Sequence, residues 1–214
     1  MKVELEEVLP GEIEKRSFEI ITRELGDRIL DEEKAPLIKR VIHTSADFEY
    51  ADTLCFSDDV IAKALNAIRS GASIVTDTQM GRAGINKRSL AKYGGQVYCF
   101  MSDEDVAAEA KKNGTTRAVA SIDKAAAMDQ PLIFAIGNAP TALIRIYELV
   151  KEGKLSPALV IGVPVGFVNV VQSKELIMET EVPYIVARGR KGGSNVAAAI
   201  CNALLYMIDE KRGN

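Results

Sequence analysis

Leu132-Ile-Phe-Ala-Ile136-Gly137-Asn138-Ala139-Pro140-Thr141-Ala-Leu-Ile-Arg-Ile-Tyr-Glu-Leu-Val-Lys151 carries the pattern that decides how this chain folds. Its opening apolar run has no polar alternation, which reads as a strand buried on both faces, the signature of a parallel sheet covered by helices. The run stops at Gly137-Asn138, and Pro140 then suits the first turn of a helix over 140–151, where its missing N–H is harmless. A strand that passes through a short turn into a helix is half of a βαβ unit.

The same alternation extends in both directions. Short apolar runs at 53–56, 73–76, 96–100, 158–161 and 184–187 are separated by helical patterns at 58–70, 103–112, 117–128, 172–179 and 193–208. Strand and helix in strict succession predict a three-layer α/β/α, Rossmann-like domain with a mostly parallel sheet of five or six strands. Ahead of it, Ile13, Phe18, Ile21 and Leu25 recur near helical spacing over 12–30, and Leu37, Ile38, Val41 and Ile42 form the stripe of a second helix that starts near Pro36. These predict a helical arm over about residues 1–50. The chain contains no linker-like tract and no internal repeat, so residues 1–214 read as one domain.

With 214 residues, 47% of them hydrophobic, the chain can bury a substantial core. A net charge of −3 argues against a surface built to coat nucleic acid or an anionic membrane, so any basic site must be local. Cys55, Cys99 and Cys201 are odd in number and lack metal-ligand spacing, which suits small buried residues in a reducing compartment. The acidic start and the absence of a long apolar run predict a cytoplasmic protein.

Four strand-to-helix junctions hold the chemistry. Gly137-Asn138 follows one strand; Gly162-Val-Pro164-Val-Gly166-Phe167 follows the next; Arg188-Gly189-Arg190-Lys191-Gly192-Gly193-Ser194 follows the last. In a parallel sheet these fall at the carboxyl ends of the strands, where open α/β folds bind ligands. Glycines allow close backbone approach, helix starts offer free N–H groups, and Arg188, Arg190 and Lys191 add charge, so the implied ligand is anionic. The fourth junction, Thr76-Asp77-Thr78-Gln79-Met80-Gly81-Arg82, offers Arg82 as a further contact, and its glycines argue against a plain helix. Neither the dinucleotide fingerprint nor a P-loop is present, which disfavours a nucleotide-dependent oxidoreductase. The same residues also fit a plainer reading, in which the glycines make tight turns and the cations are solvated.

His43 is the only histidine. Imidazole exchanges protons near neutrality, so His43 is the first candidate for an acid or base. It lies at the edge of the second helix's apolar stripe, which predicts a partly inward side chain. Asp47 reads first as a helix-end or turn residue, although its one-turn spacing also allows it to pair with His43 and favour the imidazolium.

Taken together, Ile13-Glu14-x-x-Ser17-Phe18, Arg40-Val-Ile-His43-Thr-Ser-Ala-Asp47-Phe48, Thr76-Asp77-x-x-Met80, Asn138-Ala-Pro-Thr-Ala-Leu143, Gly162-Val-Pro-Val-Gly-Phe-Val168, Ser173-Lys174-Glu175 and Gly189-Arg-Lys-Gly-Gly-Ser194 resemble the precorrin-8X methylmutase family, including its cobalt-precorrin-8 members. The resemblance spans nearly the whole chain. It implies an isomerase of cobalamin biosynthesis that moves a methyl group from C-11 to C-12 of a tetrapyrrole, giving hydrogenobyrinate or cobyrinate. It further implies a Rossmann-like sheet and a homodimer. With a single histidine and no thiolate pair, no protein-held metal is expected and no cofactor is called for, so any cobalt would arrive inside the substrate. By the same resemblance His43 is the proton donor, and Ser17 and Arg117 contact the bound product. The alternative from the residues alone is a non-catalytic α/β module for a polycarboxylate or phosphorylated ligand.

Overall fold

A computed structural model describes residues 6–209; the first five residues of the expected arm lie outside them. The strands are β1 (Leu54–Phe56), β2 (Ser73–Thr76), β3 (Val97–Tyr98), β4 (Leu132–Ile136), β5 (Leu159–Gly162) and β6 (Tyr184–Ala187). They form one six-stranded sheet in the order β1-β6-β5-β4-β2-β3. Every neighbouring pair is parallel except β1 and β6. The fold is therefore the α/β class with a mostly parallel sheet. β1 departs from the βαβ rhythm because it enters from the helical arm, not from a crossover helix.

Alternate residues of each strand feed opposite layers. In β4, Leu132, Phe134 and Ile136 join Ile146, Ile177 and Val186 on one face, while Ile133 and Ala135 join Leu37, Val41 and Ile200 on the other. The first layer holds α7 (Glu104–Lys112), α8 (Arg117–Ala126), α9 (Pro140–Lys151) and α10 (Val170–Met178). The second is centred on α11 (Ser194–Ile208), which packs on α2 (Ala35–Ser45), α4 (Val60–Arg69) and α5 (Gln79–Gly84). α1 (Ile13–Leu25) lies on α2, completing the arm, and the short α3 (Tyr50–Thr53) and α6 (Lys87–Ala91) fill connections.

The 76–85 segment corrects one expectation, since α5 is helical despite Gly81 and Gly84. Thr78 caps its start by accepting the Gly81 N–H, and Asn202 on α11 donates to the Gly84 carbonyl at its end. Tertiary contact thus outweighs the weak helix preference of glycine.

The strand order reverses direction at β2, with β3 on one side and β4 on the other. Such a switch point opens a crevice at the carboxyl ends of the strands. All four glycine-bearing junctions lie along that edge.

Candidate functional site

The junction loops grip one another before they can grip anything else. Gly193 N–H donates to the Val163 carbonyl at 2.9 Å, and Gly166 N–H donates to the Arg190 carbonyl at 3.1 Å. The Ser194 and Thr78 hydroxyls lie 2.7 Å apart, which joins the β6 loop to the β2 loop. A Cβ on Gly192 would sit 2.1 Å from the Val163 carbonyl oxygen, and one on Gly137 would sit 2.7 Å from the Ser194 Cα. These two glycines therefore admit neighbouring backbone. Gly162 is likewise packed, with a Cβ there falling 3.2 Å from a Val186 methyl.

Asp77 fills the switch point itself. Its buried carboxylate accepts the N–H groups of Gly137, Asn138 and Ala139 at 2.9, 2.8 and 2.6 Å. Burial raises the pKa of this carboxyl, and the three amide bonds hold that rise back. The main-chain donors that the sequence offers at Gly137 and Asn138 thus already serve an internal anion. The side chain of Asn138 remains exposed.

The basic residues have distinct environments. Arg188 is exposed and its Nε lies 3.2 Å from Glu175. The Arg190 guanidinium stands 5.4 Å over the ring of Phe167. Lys191 Nζ reaches Asp47 at 2.6 Å and Glu49 at 2.5 Å. The two carboxylates raise the pKa of the Lys191 ammonium, and the bond from Lys191 lowers that of Asp47. Arg82 Nε donates to the Val97 carbonyl at 3.3 Å. Arg117 is exposed at the start of α8, next to Thr116, whose hydroxyl lies 3.2 Å from that of Thr141 at the start of α9.

Around these charges the carboxyl edge exposes apolar area. Phe167 is 80% exposed, Val168 78% and Met80 70%, unusual values for large apolar side chains. They suit a broad, flat ligand with a charged rim.

His43 differs from expectation in one respect. It is exposed on α2, not turned inward, because Leu37, Val41 and Ile42 occupy the face that meets α11. Asp47 is the turn residue that the sequence favours, accepting the Glu49 N–H at 3.0 Å and pairing with Lys191 at 2.6 Å, so the pairing that one-turn spacing allows with His43 is not made. Among the described residues the imidazole has one ring contact, Phe18 at 5.5 Å. Arg40 stacks on the same Phe18 at 4.9 Å and pairs with Glu14 at 2.7 Å, locking α1 to α2. Ser17, one residue before Phe18, bonds its hydroxyl to the Ile13 carbonyl at 2.9 Å. Ser17 and His43 are thus gathered on the arm, while the basic residues line the sheet edge. Lys191 with Asp47 and Glu49 connects the two groups.

Sequence reasoning passed over Asp77, Glu49 and Lys174 as site residues. Lys174 is fully buried on α10, and its Nζ donates to the Gly189 and Lys191 carbonyls, each at 2.8 Å. The one signal for Asp77 and Lys174 was their presence inside the quoted motifs. Among the described residues no cluster of three or more His, Cys, Asp or Glu is placed to hold a metal ion. No helix there is long and apolar enough to cross a membrane. A hollow of about 420 Å³ between Met128, Pro131 and Leu155 lies at the amino ends of the strands, remote from these groups.

Comparison with known proteins places this geometry in context. The sequence profile of the precorrin-8X methylmutase family matches residues 12–207. A cobalt-precorrin-8 methylmutase of Priestia megaterium is 48% identical over 202 residues, covering 94% of this chain and 90% of that protein. One from Salmonella typhimurium is 45% identical, covering 94% and 97% of the two chains. A solved precorrin-8X methylmutase structure from Thermus thermophilus superposes with a TM-score of 0.85 at 37% identity, covering 94% of this chain and 98% of that one.

Proposed function

The chain belongs to the precorrin-8X methylmutase family, isomerases of cobalamin biosynthesis, and on that premise we propose that it moves a methyl group from C-11 to C-12 of precorrin-8 or cobalt-precorrin-8, with His43 as the general acid. The product is hydrogenobyrinate or its cobalt form, cobyrinate. The observation that carries the reading is the tie from Lys191 to Asp47 and Glu49, which fastens the end of the His43 helix to the basic loop.

The substrate is a conjugated macrocycle fringed with acetates and propionates. Phe167, Val168 and Met80 offer apolar area for the ring, while Arg188, Arg190, Lys191 and Ser194 offer donors for the rim, with Arg82, Arg117 and Ser17 beyond them. The reaction breaks the C-11 to methyl bond and forms the C-12 to methyl bond within one molecule, so no redox partner takes part. A proton delivered to the ring system draws electron density from the migration origin and stabilises the charge that develops in the transition state. His43 is suited to that step by its exposure and by the absence of a competing hydrogen-bond partner among the described residues. Cobalt, where present, travels in the ring of the substrate.

We further propose that the chain works as one cytoplasmic domain and as a homodimer. Exposure of His43, Ser17's neighbour Ile13 and the 165–168 loop supports a site that a second copy completes.

The test is to add the pre-rearrangement tetrapyrrole to the purified protein and follow the visible absorption. Catalytic conversion without added nicotinamide supports the mutase. A stoichiometric spectral shift without turnover would replace it with a binding module, and no spectral response would overturn both.

A further inference from the structure

Lysine is among the side chains least often buried, because an ammonium removed from water loses its hydration. Lys174 is nevertheless fully buried, near the middle of α10. No carboxylate pairs with it among the described residues. Its partners are two main-chain carbonyls of one loop, Gly189 and Lys191, both at 2.8 Å. If filling space were the requirement, an apolar side chain would serve at lower cost. The arrangement makes sense where the orientation of those two peptide groups is what matters.

In a planar trans peptide the N–H points opposite to the C=O of the same unit. With the Gly189 and Lys191 carbonyls turned toward Lys174, the N–H groups of Arg190 and Gly192 point away from it. Neither has an acceptor among the described residues. Both belong to the loop that carries the Arg190 and Lys191 side chains, and Gly189, between Arg188 and Arg190, takes a positive φ of 84° that lets the chain make this turn. Acceptor-free amides of closely spaced residues that point to one side form the kind of main-chain concavity that receives an anion.

We infer that Lys174 is a positioning residue that presets the Arg190 and Gly192 amides as a cradle for one peripheral carboxylate of the tetrapyrrole. The inference rests on the proposed tetrapyrrole reading and adds to it a carboxylate subsite and the buried group that builds it. Lys174 touches no substrate; it acts through the loop.

The experiment compares wild type, Lys174→Met and Lys174→Arg in hydrogenobyrinate affinity, measured by absorption titration, in the split between KM and kcat, and in the amide NMR shifts of Arg190 and Gly192. The expected result is a folded Lys174→Met protein with product affinity about tenfold weaker, KM raised, kcat within a few-fold of wild type, and partial recovery in Lys174→Arg. That loss matches one charge-assisted hydrogen-bonded contact. In wild type, saturation with product should move both amide resonances. Wild-type affinity in folded Lys174→Met overturns the inference. Should Lys174→Met fail to fold, the wild-type amides decide: movement on saturation supports the cradle, and unmoved amides in a protein that does bind product end it. A wild-type protein that neither binds nor converts a tetrapyrrole overturns the functional reading itself, a different result from unmoved amides.

Discussion

The ammonium of Lys191 lies 2.6 Å from the carboxylate of Asp47, although 144 residues separate them in sequence. One end of this pair belongs to the loop after β6 and the other to the turn after α2, so it measures whether arm and sheet edge act together. Exposed ion pairs add little stability, and the value of this one lies in alignment. Lys191→Ala and Arg190→Ala are each expected to weaken binding of the carboxylated product by about tenfold, as for loss of a single charged contact, with little change in melting temperature. Isothermal titration of both variants checks this, and wild-type affinity in both would show the loop to be only surface.

His43→Ala should abolish rearrangement while leaving product binding measurable. A positioned general acid contributes roughly 10²–10⁴-fold, so residual turnover below about one per cent of wild type is expected. Steady-state rates on the purified variant decide, and unchanged turnover would end the acid-catalyst role.

Asp77→Ala should be strongly destabilising. It strands the amide N–H of Gly137 in a buried site and those of Asn138 and Ala139 in a part-buried one, and unsatisfied buried donors cost about 1–3 kcal/mol each. Even with partial relaxation the loss should be at least about 3 kcal/mol, or roughly 10 °C in melting temperature for a chain of this size. Thermal unfolding followed by circular dichroism reads this directly, and a drop of a degree or two would show that the loop does not depend on the carboxylate.

Burial lowers the pKa of Lys174 from 10.5 to about 8. Between those values the unfolded chain holds a proton that the folded chain has released, so this group's contribution to stability rises with pH across that window. The full change is at most about 3–4 kcal/mol at 1.36 kcal/mol per pKa unit, and the two carbonyl contacts, which favour the ammonium, reduce it. Urea unfolding of wild type and Lys174→Met at pH 7.5 and pH 10 should show the difference between them moving in favour of wild type at the higher pH. A constant difference would mean that Lys174 titrates normally.

The β4 to α9 unit was readable almost residue by residue, because a fully apolar run, a glycine turn and Pro140 are local signals. The reversed direction of β1 was not, since a strand spanning only Leu54–Phe56 carries no mark of which neighbour it will meet. The helix over Gln79–Gly84 was hidden by its glycines, and the contact that completes it comes from Asn202, far along the chain. The site divides in the same way. His43 and the 188–194 loop stand out by residue type, whereas the pairing of Asp47 with Lys191, the seat of Asp77 under the 137–139 amides and the burial of Lys174 depend on contacts between distant segments. Residue spacing could offer Asp47 no partner but His43, because periodicity sees only neighbours on one helix.

Because the chain has a single imidazole, and that imidazole is exposed against the ring of Phe18 at 5.5 Å, the protein carries its own reporter. Its carbon-bound imidazole protons give resonances that need no assignment, displaced by the ring current of a known neighbour. Protonation, approach of a macrocycle and burial by a second copy would each perturb that signal in a different way, so one nucleus can follow occupancy and assembly without any label attached to the chain.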